Sequence, residues 1–201
     1  MRLNFNKTRS AFTVMEMLVV LTVFSTVAVV VIDIFFTITK AYRSLVATQA
    51  VQRDIRFTVQ TIVKDIKQGV IDYGYYTDHN ISLKNNSTSE VVGVNTLALI
   101  DANGLSVRYK TGTSTKNLPT IMICRGACTA WEQLLSDNIQ APLLNFYVVP
   151  DTDPFSQTGT APNKQPRVTL AITGQAVAES IELQQTTFFI QTTVATRTYK
   201  R

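Results

Sequence analysis

The chain has 201 residues, 45% of them hydrophobic and only 16% charged. This is room for one ordinary domain plus an extra element, and it excludes a disordered chain, which buries too little apolar surface to fold. The formal charge of +5, from 19 Lys and Arg against 14 Asp and Glu, would suit a nucleic-acid binder, but Arg2, Lys7 and Arg9 stand in the first ten residues with no acid, and without those three only +2 remains.

After this basic segment, Met17 to Ile32 reads MLVVLTVFSTVAVVVI without a charge, and Phe12 to Met15 adds apolar residues broken only by Thr13. A run of this length predicts a single membrane span over about residues 14–33. The basic flank then stays in the cytoplasm, and the rest of the chain lies outside the inner membrane. A cleaved secretory signal is the first alternative. Its apolar centre is shorter, roughly 7–15 residues, and a small-x-small site follows it. Here the run is longer and carries an acid, Glu16, at its entry. A carboxylate in an apolar span is costly and points to a function or a partner. A plain membrane anchor is the second alternative.

Ser10-Ala11-Phe12-Thr13-Val14-Met15-Glu16, followed by Met17-Leu18-Val19-Val20, resembles the N-terminal signal of type IV prepilins. In that family a basic leader ends in a small residue, and Phe, Thr, two apolar residues, Glu and a long apolar helix follow. The resemblance implies a leader over residues 1–11 and cleavage by prepilin peptidase between Ala11 and Phe12. It further implies N-methylation of Phe12 and pairing of Glu16 with the Phe12 amine of a neighbouring subunit. A buried carboxylate is tolerated when paired, and such a pair sets the axial register of packed helices. Two positions depart from the family. Ala11 stands where Gly is most usual, which implies slower cleavage, and Asp33 stands where many major pilins carry Pro.

Beyond Asp33, Ile38, Tyr42, Leu45, Gln49, Gln52, Ile55, Val59, Ile62 and Ile66 recur at steps of three and four, with Lys40, Arg43, Arg53, Arg56, Lys64 and Lys67 on the other sides. This is one face of a helix, and neither Gly nor Pro interrupts before Gly69. A helix over 12–68 would be roughly 85 Å long. A coiled-coil seam is the alternative; the strands that follow favour a stem with a β-domain packed on its apolar face.

Residues 69–201 form the predicted β-rich domain. Val70 to Tyr76 reads as a short strand or a loop, and Thr77 to Glu90 as a loop. Thr96–Asp101 and Leu105–Tyr109 are predicted strands joined by the turn Ala102-Asn103-Gly104. Further strands are expected over Thr120–Cys124 and Leu143–Val149. Val168–Ile172 and Thr186–Ala195 make a closing pair. The sum is an α+β, pilin-like fold, with a long N-terminal helix packed on an antiparallel sheet. Pro150 to Pro166, rich in Pro, Thr and Gly, is a long loop, either a tolerated insertion or a contact surface.

A second, looser resemblance lies in this region. Trp131 to Ile139 (WEQLLSDNI), Leu144 to Val148, Gln165 to Leu170 and Gln191 to Arg197, with Arg53-Asp54-Ile55-Arg56 in the stem, resemble minor pilins of the W type and pseudopilin J of type II secretion. The resemblance implies a minor, initiating or tip subunit.

Competing chemistry is sparse. Cys124 and Cys128 are spaced C-R-G-A-C, which suits a local disulfide in an oxidising envelope better than a redox motif, whose cysteines are two residues apart. Free thiols remain the other reading. A structural zinc site takes four ligands; the chain has two Cys and one His, His79, in a polar loop where exposure is expected. Asp151 and Asp153 alternate as calcium ligands can, but a third carboxylate is not evident. No nucleophile motif, phosphate loop or recognisable acid pair is present. The expectation is a non-enzyme without metal or cofactor. Its partners are prepilin peptidase, other pilin or pseudopilin subunits, and the inner membrane before assembly. The alternatives are an adhesion or DNA-binding module displayed on a filament, with only Arg108-Lys110 and Lys164-Arg167 as basic clusters, or an anchored extracytoplasmic domain.

Overall fold

The computed structural model describes residues 12–85, 87–154, 165–177 and 187–197. Ala11 and the rest of the leader, Lys164 with most of the 150–166 loop, and Thr186 lie outside the described residues. The chain divides into two units, 1–43 and 44–201.

In the first unit, helix α1 (Val14–Gln68) begins and exposes its apolar side chains on all sides. Thr13 caps it: its Oγ1 accepts from the Glu16 amide at 3.3 Å, and its carbonyl accepts from Met17 at 3.2 Å. The hydroxyls inside the apolar run are satisfied within the helix. Thr22 donates to the Val19 carbonyl, Ser25 to Leu21 and Thr26 to Val23, each at 2.8 Å. Such internal bonds remove the main objection to hydroxyls in hydrocarbon.

In the second unit the same helix buries Val51, Ile55, Thr58, Ile62 and Ile66. Ile55, Ile62 and Ile66 belong to the expected stripe, which holds here but not at its N-terminal members. Ile38, Tyr42 and Leu45 are exposed, at 62, 69 and 58%. Gln49 also faces outward, and Val51 and Thr58 take inner places. From Ile55 onward the buried face keeps the phase of the predicted stripe; where the stripe starts to be covered is set by the contact made from Val51 onward. Gly174 lies beneath the helix: a Cβ there would stand 2.5 Å from Ile55 Cγ1. Glycine lets helix and strand approach closely at that point.

The strands form two antiparallel sheets rather than one. The first has the order β1-β2-β3-β4-β5: β1 (Val70–Ile71), β2 (Thr96–Ile100), β3 (Ser106–Thr113), β4 (Pro119–Arg125) and β5 (Glu132–Gln133). The second has the order β6-β7-β8: β6 (Ile139–Val149), β7 (Arg167–Ala176) and β8 (Thr187–Ala195). Phe146 of β6 exchanges two 2.8 Å backbone bonds with Val94, which precedes β2. β6 starts at Ile139, four residues earlier than expected, because a bulge between Gln140 and Leu143 lets Ile139 still pair with Ala176.

Tyr73–Asp78 is a helix, α2, where a strand or loop was expected. Asp72 caps it, accepting from the Tyr75 amide at 3.1 Å. It buries Tyr76, whose hydroxyl accepts from the Ala98 amide at 3.0 Å and donates to the Thr96 carbonyl at 3.3 Å. Of the tyrosines that suggested a strand, Tyr76 bonds the backbone of β2, Tyr73 reaches Pro150 and Tyr75 stacks with His79. The Ala102-Asn103-Gly104 turn forms as expected: the Asp101 carboxylate accepts from the amides of Asn103 (2.8 Å) and Leu105 (2.9 Å), and Gly104 takes φ +81°.

The core lies between the stem and the two sheets. Tyr109, Phe146, Leu97, Leu99, Ile121, Leu144, Leu170 and Ile172 are its largest sheet-side members, each at most 1% exposed.

Candidate functional site

The sequence places its sharpest signal at the start of α1. Phe12 is 73% exposed, and Glu16 is exposed in the first helical turn. Thr13 and Glu16 have the spacing of a capping box, and a carboxylate there favours the helix dipole. A local role for Glu16 therefore coexists with any intermolecular one. Downstream, α1 is long and apolar enough to cross a membrane, and the apolar window is not buried within the chain.

A second polar constellation, not foreseen from sequence, joins the stem to the first sheet. Asp65 Oδ2 accepts from the Tyr109 hydroxyl at 2.6 Å and from an Arg125 guanidinium nitrogen at 2.7 Å. The Asp65 side chain is 13% exposed and that of Arg125 53%. Burial pushes the Tyr109 phenol well above its ordinary range, and the bond to Asp65 adds to this, partly opposed by Arg125. Arg125 sits inside the ring closed by Cys124 and Cys128, which are disulfide-bonded with Cα atoms 5.1 Å apart. The ring turns at Gly126 (φ +77°) and Cys128 (φ +53°). The crosslink therefore holds the loop from which Arg125 reaches the stem. The available signal in sequence was an Arg directly after a Cys in a five-residue loop; its acid partner lies 60 residues away.

The Arg53-Asp54 and Trp131–Ile139 segments, which carried the looser resemblance, also meet. Ser136 donates to Asp54 Oδ2 at 2.7 Å, and Arg53 Nε lies 3.4 Å from Asp54 Oδ1.

Arg108 and Lys110 share one face of β3, but each lies on a ring: Arg108 is 4.4 Å from the Tyr75 centroid and Lys110 3.9 Å from that of Trp131. These contacts shield aromatic surface at the sheet. His79 is exposed, stacked 4.1 Å from Tyr75, with Nδ1 2.9 Å from the Tyr75 carbonyl.

Asp151 and Asp153 line a cleft of about 510 Å³ with Tyr73, Tyr76 and Lys84. Lys84 Nζ stands 4.0 Å from Asp151 Oδ2. Tyr73 donates to the Pro150 carbonyl at 3.1 Å, and burial, then the Asp153 charge, raises its phenol above the usual range. Among the described residues no three His, Cys, Asp or Glu side chains gather as metal ligands. Comparison with protein-family models, curated proteins and solved structures finds no match to this chain. The residues alone thus carry the functional argument.

Proposed function

We propose that this chain is a pilin-like subunit, a minor pilin or pseudopilin, that enters a type IV pilus-like filament through its N-terminal helix. One observation carries the reading. A single helix is apolar and uncovered in its first part, with Glu16 in its first turn, and becomes the core stem of a β-rich domain in its second part. An anchor alone needs no acid near the start of its apolar run. An assembly helix does, because a neighbour's amine at Phe12 neutralises the carboxylate and fixes how far one helix is displaced along the next. The prepilin resemblance around Ala11 and Phe12 supports cleavage there. The second resemblance, in segments that meet at Asp54 and Ser136, supports a minor rather than bulk role.

Mass spectrometry of the mature N-terminus tests the reading. A methylated chain starting at Phe12 is expected; an intact Met1 start in cells with active prepilin peptidase overturns it. Glu16→Ala should be processed yet depleted from filaments, and normal incorporation would remove Glu16 from the assembly role.

A further inference from the structure

Arg108 and Lys110 stand two residues apart on β3 and so share one face of the first sheet. Directly paired residues of antiparallel strands lie side by side on the same face. Ala98 of β2 and Cys124 of β4 therefore flank Arg108, and Thr96 and Met122 flank Lys110. Gln133 of β5 follows beyond Met122. None of these neighbours is a carboxylate.

Both cations are partly buried, and among the described residues neither is paired with an acid. The other partly buried lysine, Lys84, has Asp151 beside it, and Arg125 has Asp65. The Arg108 Nε is buried without any hydrogen-bond partner. A cation withdrawn from water without a counterion is costly, and a ring face offsets only part of that cost. The rings themselves lie next to the cations: Tyr75 at Arg108, with His79 stacked on it, and Trp131 at Lys110. Trp131 is partly exposed and His79 fully so.

We propose that this face of the first sheet binds a single strand of nucleic acid. Residues at i and i+2 of a strand are roughly 6.5–7 Å apart, and an extended phosphodiester backbone can place successive phosphates at such a spacing. The Arg108 guanidinium offers a fork to one phosphate, and the Lys110 ammonium a point charge to the next. Unpaired bases then meet His79, Trp131 and the plane of the guanidinium. This mixture of rings and cations holds single strands with little regard to sequence. An acidic peptide or a sulfated glycan matches the charge but has no base to stack, and a duplex keeps its bases inside. The assignment rests on this sheet face alone and stands or falls separately from the filament reading.

The test uses the full chain in a non-ionic detergent and a fluorescein-labelled oligo-dT of about 12 nucleotides, followed by anisotropy across a salt series. Saturable binding that weakens with salt is expected. Lys110→Gln should reduce the slope of log K against log salt by roughly 0.7, the loss of one phosphate contact. Arg108→Gln should do the same, and Arg108→Lys should restore the slope without the full affinity. Trp131→Leu should weaken binding by about fivefold or more with the salt slope unchanged. Arg56→Gln removes an equal charge from the exposed stem and should leave binding as it is. Thermal melts confirm that each variant is folded. Absence of saturable binding at about 100 μM oligonucleotide, the range of non-specific affinity, overturns the proposal. So does an equal loss in Arg56→Gln, which would show diffuse charge attraction. Heparin competing as well as unlabelled oligo-dT, together with unchanged binding by Trp131→Leu, would show an anion surface that does not use bases, and also overturns it.

Discussion

Ile32 and Ile62 are the same side chain on the same helix, yet one is 53% exposed and the other 0%. The first belongs to a stretch in which every side of the helix is apolar. The second belongs to a stretch in which one stripe is apolar and the rest carries Gln, Arg and Lys. An all-round apolar helix suits a surrounding that is itself apolar, whereas a striped helix suits one packed face and one wet face. The backbone does not distinguish these cases. The distribution of side chains around it does, and it changes within one unbroken element.

The largest way to test this contrast is a matched pair of truncations. Ile62→Ala should destabilise the β-rich domain by about 2–5 kcal/mol, because it leaves a cavity between stem and sheet. Val27→Ala, in the exposed stretch, should leave the domain's unfolding midpoint unchanged. Equal losses in chemical denaturation would show that the two stretches do not differ as described.

Gly174→Ala comes next. Its Cβ would fall 2.5 and 2.6 Å from the Ile55 Cγ1 and Cδ1 atoms. Overpacking of this kind costs about 1–3 kcal/mol, and pairing the variant with Ile55→Val should recover part of the loss. Thermal melts of the two single variants and the double variant measure that coupling.

Replacing Cys124 and Cys128 together by Ser opens a short loop and should cost about 2 kcal/mol. Asp65→Asn changes the acceptor shared by Tyr109 and Arg125. If the disulfide acts partly by positioning Arg125, the two changes will be less than additive in a double-mutant cycle. Strict additivity would separate the crosslink from the stem contact.

The smallest expected effects are those of pH. The amides of Leu105 and Asn103 lower the Asp101 carboxyl below its ordinary 3.8, the Leu105 bond contributing most. A depressed folded value means that its stabilisation is present above 3.8 and lost as pH falls through the folded value. Asp101→Asn should flatten that acid limb. Tyr109 acts in the opposite sense. Its raised folded value means that stability is full below 10.0 and declines as pH rises beyond it, and Tyr109→Phe should remove that alkaline loss. Equilibrium unfolding across both limits measures each slope.

Much of this molecule could be read from one dimension. The apolar run, the acid within it, the uninterrupted helix up to Gly69 and the Asn-Gly turn after β2 are local patterns, and local patterns act through neighbours in the chain. Strand positions were legible for the same reason, though β6 and β7 run further than their apolar runs suggested, since pairing with a neighbour extends a strand past its own signal. The α2 helix was not legible: Asp72 capping and the Tyr76 hydroxyl at Ala98 outweigh the strand preference of three tyrosines. Nor was the point at which the stem's stripe starts to be covered: Ile55, Ile62 and Ile66 are buried as the periodicity implies, whereas Ile38, Tyr42 and Leu45 of the same stripe stay exposed. The Asp65, Tyr109 and Arg125 cluster belongs to tertiary structure alone. It arises from residues far apart in the chain. Sequence periodicity specifies which elements form and what solvent they suit; only packing decides which groups meet.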